Sequence, residues 1–248
     1  MNKMPKDWGR SKEPFRFSLA TAFVGMMAAD AVLGLVASGA RSARESARKM
    51  HCTNNLKMIG IALESYRSQW GRFPPACTFD AQGNPAHSWR LLIIPYLEST
   101  SFYAQYRFNE PWNGPNNRLL HDIAPVLYRC PCESTSNLKQ NETSYVAIVG
   151  PQTAWSPDPS KTRHDPPGQA LLIVEIANSG IHWLEPRDWD VSEGIDLINS
   201  GPNGPSSLHL GGVLAARADG SIEFLPNTLS VEELRELIVP GSGAKAAP

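Results

Sequence analysis

At 248 residues, with a formal net charge of −1 and a pI near 6.6, the chain carries no basic excess. No basic stretch is interleaved with aromatics, so the electrostatic case for a nucleic-acid partner is absent. Twenty-one prolines and nineteen glycines, most of them beyond residue 71, predict a loop-rich body with short strands and few long helices.

The first seventy residues differ in kind from the rest. Residues 1–16 form a basic tail with Lys3, Lys6, Arg10, Lys12 and Arg16. Residues 17–40, FSLATAFVGMMAADAVLGLVASGA, hold Asp30 as their only charge. A helix of that length, rising about 1.5 Å per residue, is long enough for a hydrocarbon core of roughly 30 Å, so the segment reads as a single membrane span. Alanine, glycine and serine dilute it, and a central acid costs about 2.5–3.5 kcal/mol on insertion scales. Asp30 therefore either faces a neighbouring helix or water, or argues against a lone lipid-exposed span. A cleaved signal peptide is the rival reading, with small residues at Ser38 and Ala40, although the apolar run exceeds the usual length of about 7–15 residues. Five basic residues precede the span, and Arg41, Arg44, Arg48 and Lys49 follow it, which narrowly favours an internal N-terminus.

Residues 41–70 contain no proline, and Cys52, Leu56, Ile59, Leu63, Tyr66 and Trp70 recur at spacings of four and three. This is the apolar stripe of a spine helix, stopped by Gly71 and by Pro74 and Pro75. Residues 71–239 follow as a loop-rich α+β domain, and residues 240–248 as a flexible tail.

Near the C-terminus, Asp219-Gly220 between two apolar runs is a hairpin signal. A three-residue loop of Ala218, Asp219 and Gly220 places Leu214, Ala216, Ile222 and Phe224 on one face and Arg217, Ser221 and Glu223 on the other; a slip of one residue mixes the two sets. His209 lies ten positions before Asp219, roughly 30 Å of extended chain, too far for a catalytic dyad. Ser230 and Glu233 match a capping box for a short helix ending before Pro240.

A membrane helix that continues as the spine of a small β-rich domain resembles the plan of type IV pilins and pseudopilins. More closely, SARESARKMHCTNNLKMIGIALESYRSQWGRFPPA, residues 42–76, is similar to the signature of a large bacterial family of unassigned function, a domain of unknown function abundant in planctomycetes. That family ends in an H-x9-DG motif, here His209, Asp219 and Gly220. HSWRLLIIPYLE, NEPWNGPNN, YRCP, TSYVAIVGP, ALLIVEIANS and WLEPRDW follow in the family's order, so the resemblance spans most of residues 42–226. It departs from the pattern at FSLAT, residues 17–21, which lacks the glycine and glutamate of a prepilin peptidase site. The resemblance therefore implies a retained anchor more than a filament subunit.

Four cysteines, Cys52, Cys77, Cys130 and Cys132, permit disulfides in an oxidising space, with connectivity left open. The resemblance implies that Cys52 and Cys130 stand where family members often carry cysteine. Cys130-Pro131-Cys132 lacks the second pair of a zinc knuckle, and no metal site or cofactor is expected. Nucleophile-elbow, zincin, phosphate-loop and dinucleotide motifs are absent, and no catalytic residue is assigned. Ligand-binding candidates are Trp112, Trp183, Glu185, Asp188 and His209.

The expectation is an α+β protein: a long N-terminal membrane-spanning and spine helix packed on an antiparallel sheet with long loops, pilin-like in plan. The leading function is non-enzymatic, a single-pass, membrane-anchored envelope protein with an extracytoplasmic domain and a structural or assembly role. Its partners are the membrane and, through self-association or otherwise, envelope proteins. The alternative is a small-ligand or cation-binding module around Trp112, Trp183 and Glu185; a hydrolase using His209 stands third.

Overall fold

The computed structural model describes residues 19–97, 100–135, 141–156 and 166–239. The basic tail 1–16, Phe17, Ser18, the side chain of Asp30 and the tail 240–248 lie outside the described residues. The chain divides into two units, Met1–Arg44 and Glu45–Pro248, with helix α1 (Leu19–Trp70) contributing to both.

In the first unit, Met26, Met27, Leu33, Leu35 and Val36 are each between 60 % and 71 % exposed. Among the described residues, no helix is long and apolar enough to cross a membrane. The dilution by Ala28, Ala29, Gly34, Ser38 and Gly39 is the compositional reason.

In the second unit α1 obeys its periodicity. Cys52, Leu56, Ile59 and Leu63 are buried, joined by Ala62, and Tyr66 is half-buried against the same core. Each fully buried aliphatic side chain contributes about 1.5–3 kcal/mol. Trp70, expected on the stripe, is instead 60 % exposed, its indole N–H donating to the Tyr96 hydroxyl at 3.1 Å. At the last turn Trp70 lies beside Tyr66 and Tyr96 rather than in the core. Gly71 ends the helix at φ +71°, its N–H donating to the Arg67 carbonyl at 2.8 Å, the left-handed cap glycine adopts without a Cβ penalty.

Two short strands, β1 (Cys77–Phe79) and β2 (Pro85–Ser88), form an antiparallel ribbon. The run from His87 forms α2 (Trp89–Leu92), capped by Ser88, and a 3-10 turn, Ile94–Tyr96, where Pro95 breaks the helix. Helix α3 (Thr100–Gln105) follows, then a long stretch of turns.

The main sheet contains β3 (Tyr145–Val149), β4 (Leu171–Glu175), β5 (Trp189–Asp190), β6 (Gly212–Arg217) and β7 (Ile222–Pro226), in the order β5-β3-β4-β6-β7. All pairs are antiparallel except β3 with β5, so the sheet is mixed rather than wholly antiparallel. After β4 the chain passes to the far edge of β3 before pairing, and that excursion returns it in the direction of β3.

Both faces of the sheet are covered. Tyr145, Ala147, Ile173, Leu214 and Ala216 join the core containing the α1 stripe. Val146, Ile148, Val174, Val213, Ala215 and Leu225 form a second core with Leu234 and Ile238 of α4 (Val231–Ile238), whose capping box is made by Ser230 and Glu233. The period-2 alternation of strands assigns neighbouring residues to the two cores.

The C-terminal hairpin adopts the expected register. Leu214 pairs with Phe224 and Ala216 with Ile222, the Arg217 N–H donates to the Ser221 carbonyl, and Ala218, Asp219 and Gly220 form the loop with Gly220 at φ +81°. Arg217 and Glu223 form an ion pair on the opposite face.

Candidate functional site

Four elements of the second unit converge at one end of the sheet. Cys52 lies on the buried stripe of α1, one turn before Leu56. Cys130 follows the 3-10 turn Val126–Tyr128 and is fixed on both sides: its N–H donates to the Ser144 hydroxyl at 2.7 Å, and Asn55 of α1 donates to the Arg129 carbonyl at 3.0 Å. Glu175 ends β4, where period 2 from Ile173 turns it toward α1, opposite Tyr145. His209 lies three positions before the start of β6, its N–H donating to the Ser207 hydroxyl.

These side chains meet although far apart in sequence. The sulfurs of Cys52 and Cys130 are 2.8 Å apart, both as thiols. His209 Nε2 lies 3.6 Å from the Cys130 sulfur and 3.7 Å from Glu175 Oε1. One donor atom from each of Cys52, Cys130, Glu175 and His209 falls within 4.8 Å of every other, and all four residues are buried. The second imidazole nitrogen faces another set: Nδ1 is 2.8 Å from Glu45 Oε1 and 3.5 Å from the Cys132 sulfur.

The electrostatics follow from burial. Glu175 is 1 % exposed; its Oε2 accepts from the Leu214 N–H at 2.9 Å, while Oε1 finds no hydrogen-bond donor among the described residues. Burial pushes its carboxyl above the usual range, with the Leu214 N–H and His209 opposing. For His209 burial disfavours the charged ring, but the Cys130 thiol and the Glu45 and Glu175 carboxylates outweigh it and hold the pKa up to about 9. Its hydrogen bond to Cys52, and burial, push the Cys130 thiol up, and burial pushes Cys132 up to about 12.

These shifts run opposite to those that activate a nucleophile and its base. A thiol nucleophile needs a lowered pKa and access, whereas Cys130 and Cys132 are buried and shifted the other way. His209 is 3 % exposed, and its pairing with Glu45 and Glu175 favours the charged ring, which cannot act as a general base. Cavities of about 360, 400 and 450 Å³ open elsewhere, and none of them is lined by His209.

Residues 41–171, just over half of the chain, match the family described as a protein of unknown function (DUF1559). The chain belongs to this family. The match covers the spine helix through β3 and ends at Leu171, the first residue of β4, so the H-x9-DG segment lies beyond it. No curated protein and no solved structure matches the chain.

Of the other ligand-binding candidates in this DUF1559 protein, Asp188 borders the cavity of about 400 Å³, and none of the three cavities above is bordered by more than one of them. Trp183 is fully buried between Phe102 and Tyr128. Trp112 stacks on His121, with ring centroids 5.1 Å apart, and pins its loop through a backbone bond to Ala86. Glu185 accepts from Arg187 and from the His182 N–H. Asp188 is an internal counter-ion: it pairs with the fully buried Arg90 and accepts from Trp89 Nε1 and the Ala147 N–H. Asp219 bonds Ser221 within its own turn, and Gly220 supplies the positive φ.

Sequence reasoning named His209 but passed over Glu45, Glu175 and the convergence of Cys52 with Cys130. A signal for Glu175 was present: an acid continuing an apolar strand, LLIVE, is buried unless the strand ends before it, and a buried acid needs partners.

Proposed function

We propose that this DUF1559 protein is a non-enzymatic envelope protein of pilin-like plan. In this reading its N-terminal helix anchors it at a membrane in the company of other helices, and the 45–248 unit is presented outside the cytoplasm for assembly. The observation that carries the reading is the contrast along α1: its Cys52–Leu63 stripe is buried, while Met26, Met27, Leu33, Leu35 and Val36 stand at least 60 % exposed. A run of uncovered apolar side chains on one helix is a surface that a partner covers. Low apolarity and Asp30 favour association with neighbouring helices over a lone lipid-facing span.

The test is fractionation of the native host followed by intact-mass analysis. A full-length chain that stays with membranes through carbonate washing, and cross-links to itself or to an envelope protein through a cysteine placed at Leu35, is expected. A chain cut near Ala40, recovered as a free soluble domain, would sink the reading.

A further inference from the structure

The convergence of Cys52, Cys130, Glu175 and His209 goes beyond an assembly role, and it lies wholly within the 45–248 unit. We propose that these four residues form a structural zinc site, with two thiolates, one imidazole nitrogen and one carboxylate oxygen as ligands. Two sulfurs with a nitrogen and an oxygen suit a tetrahedral divalent zinc ion, and four protein ligands close the site to substrate.

Three independent observations support it. First, the spacing is near that of a tetrahedron: ligand atoms about 2.0–2.3 Å from a central zinc stand roughly 3.3–3.8 Å from one another. His209 Nε2 is already 3.6 Å from the Cys130 sulfur and 3.7 Å from Glu175 Oε1. The thiol pair, at 2.8 Å, has to open by roughly 1 Å, and the remaining ligand atoms stand within 4.8 Å of one another. Second, Glu175 Oε1 is buried and receives no hydrogen bond among the described residues, although it points at the imidazole and thiols. A buried carboxylate oxygen without an ordinary hydrogen bond is costly; the imidazole 3.7 Å away offsets part of that cost, and a bound cation offsets more. Third, the outer shell is in place. Glu45 Oε1 accepts from His209 Nδ1 at 2.8 Å, which turns Nε2 inward with a free lone pair when the ring is neutral.

Binding releases the two thiol protons and the proton on Nε2 to solvent, and no electron is transferred. The ion would tie α1, the turn after Tyr128, the end of β4 and the start of β6 into one joint. It also gives the histidine of the H-x9-DG motif a task at the foot of the strand.

The test uses the full-length chain, purified under reducing conditions and titrated with zinc and with cobalt(II). One zinc per chain is expected, together with a thiolate-to-cobalt charge-transfer band. X-ray absorption should show two sulfurs at about 2.3 Å and lighter ligands at about 2.0–2.2 Å. Cys52→Ser and His209→Asn should abolish stoichiometric binding, Glu45→Gln should weaken it about 10–100-fold, and Cys132→Ser should leave it intact. Because ligand variants can misfold, the cobalt spectrum of the unaltered chain decides. A reduced, folded chain that takes up no zinc, or a cobalt complex without sulfur ligation, overturns the proposal. So does a Cys52–Cys130 disulfide in protein isolated from its host, whatever the reduced protein binds afterwards. None of these three outcomes depends on membrane retention, so the site and the assembly role fail separately.

Discussion

His209 Nδ1 sits 2.8 Å from Glu45 Oε1 across 164 positions of sequence, joining the segment before β6 to the spine helix. The His209 side chain is fully buried and Glu45 is about three-quarters covered, so the bond is sheltered from solvent. Replacing His209 by alanine removes the counter-charge for Glu175 and leaves a buried acid with the Leu214 N–H, the Ser207 hydroxyl and the Cys52 thiol beside it. We expect His209→Ala to destabilise the chain by about 3–5 kcal/mol, the cost of stripping one partner from a buried pair, read from urea denaturation of the metal-free protein. A loss below about 1 kcal/mol would mean that water reaches the cluster and pairing there is weak.

Arg90 and Asp188 provide the second buried pair. Arg90 donates to the Ser88 hydroxyl and the Tyr145 carbonyl as well as to Asp188, so the guanidinium ties α2 to β3 and to the segment before β5. Arg90→Met and Asp188→Asn should each cost about 3–5 kcal/mol, and the double variant clearly less than the sum. A double-mutant cycle by chemical denaturation measures the coupling. Additive losses would show that the two residues act separately. The same pairing predicts that Asp188→Asn changes no ligand affinity except through stability.

The hairpin supplies a graded test of register. A Cβ on Gly220 meets nothing within 4 Å, so Gly220→Ala carries only the strain of φ +81°, about 1–2 kcal/mol. A Cβ on Gly212 falls 2.0 Å from the Leu225 carbonyl oxygen, backbone that cannot rotate away. Gly212→Ala should therefore be the more damaging of the two by thermal melting. The reverse order would contradict the pairing of Gly212 with Pro226.

His182 makes stability depend on acid. Its ring lies 4.3 Å from that of His121, and burial, followed by the charge of His121, pushes its pKa down to about 4. Between pH 6.5 and about 4 the unfolded chain binds a proton that the folded chain does not, so this residue's contribution to stability is present above pH 6.5 and is lost as pH falls through that window. His182 Nδ1 accepts from the Leu184 N–H, a role that an asparagine oxygen can take over. The His182→Asn variant should show a shallower stability loss between pH 6.5 and 4 in denaturation curves. An unchanged slope would assign the acid sensitivity to other groups.

What the sequence determined by itself was local. The α1 stripe from Cys52 to Tyr66, the stop at Gly71, the Ser230 capping box and the three-residue loop at Ala218–Gly220 all follow from periodicities and backbone preferences that act within a few residues. Trp70 and the parallel β3–β5 pair escaped that logic: one depends on where the sheet ends beneath the helix, the other on the route of the chain between strands. The candidate site was legible only in fragments. Cys52 appeared as an apolar stripe residue, Cys130 as half of an incomplete thiol motif, His209 as an unexplained histidine and Glu175 as part of a strand. Contacts across 78, 79 and 164 positions join these residues, and no short-range pattern records them. Only the tertiary structure decided that they meet, because packing α1 on one face of the sheet brings Cys52 and Glu45 over the ends of β4 and β6.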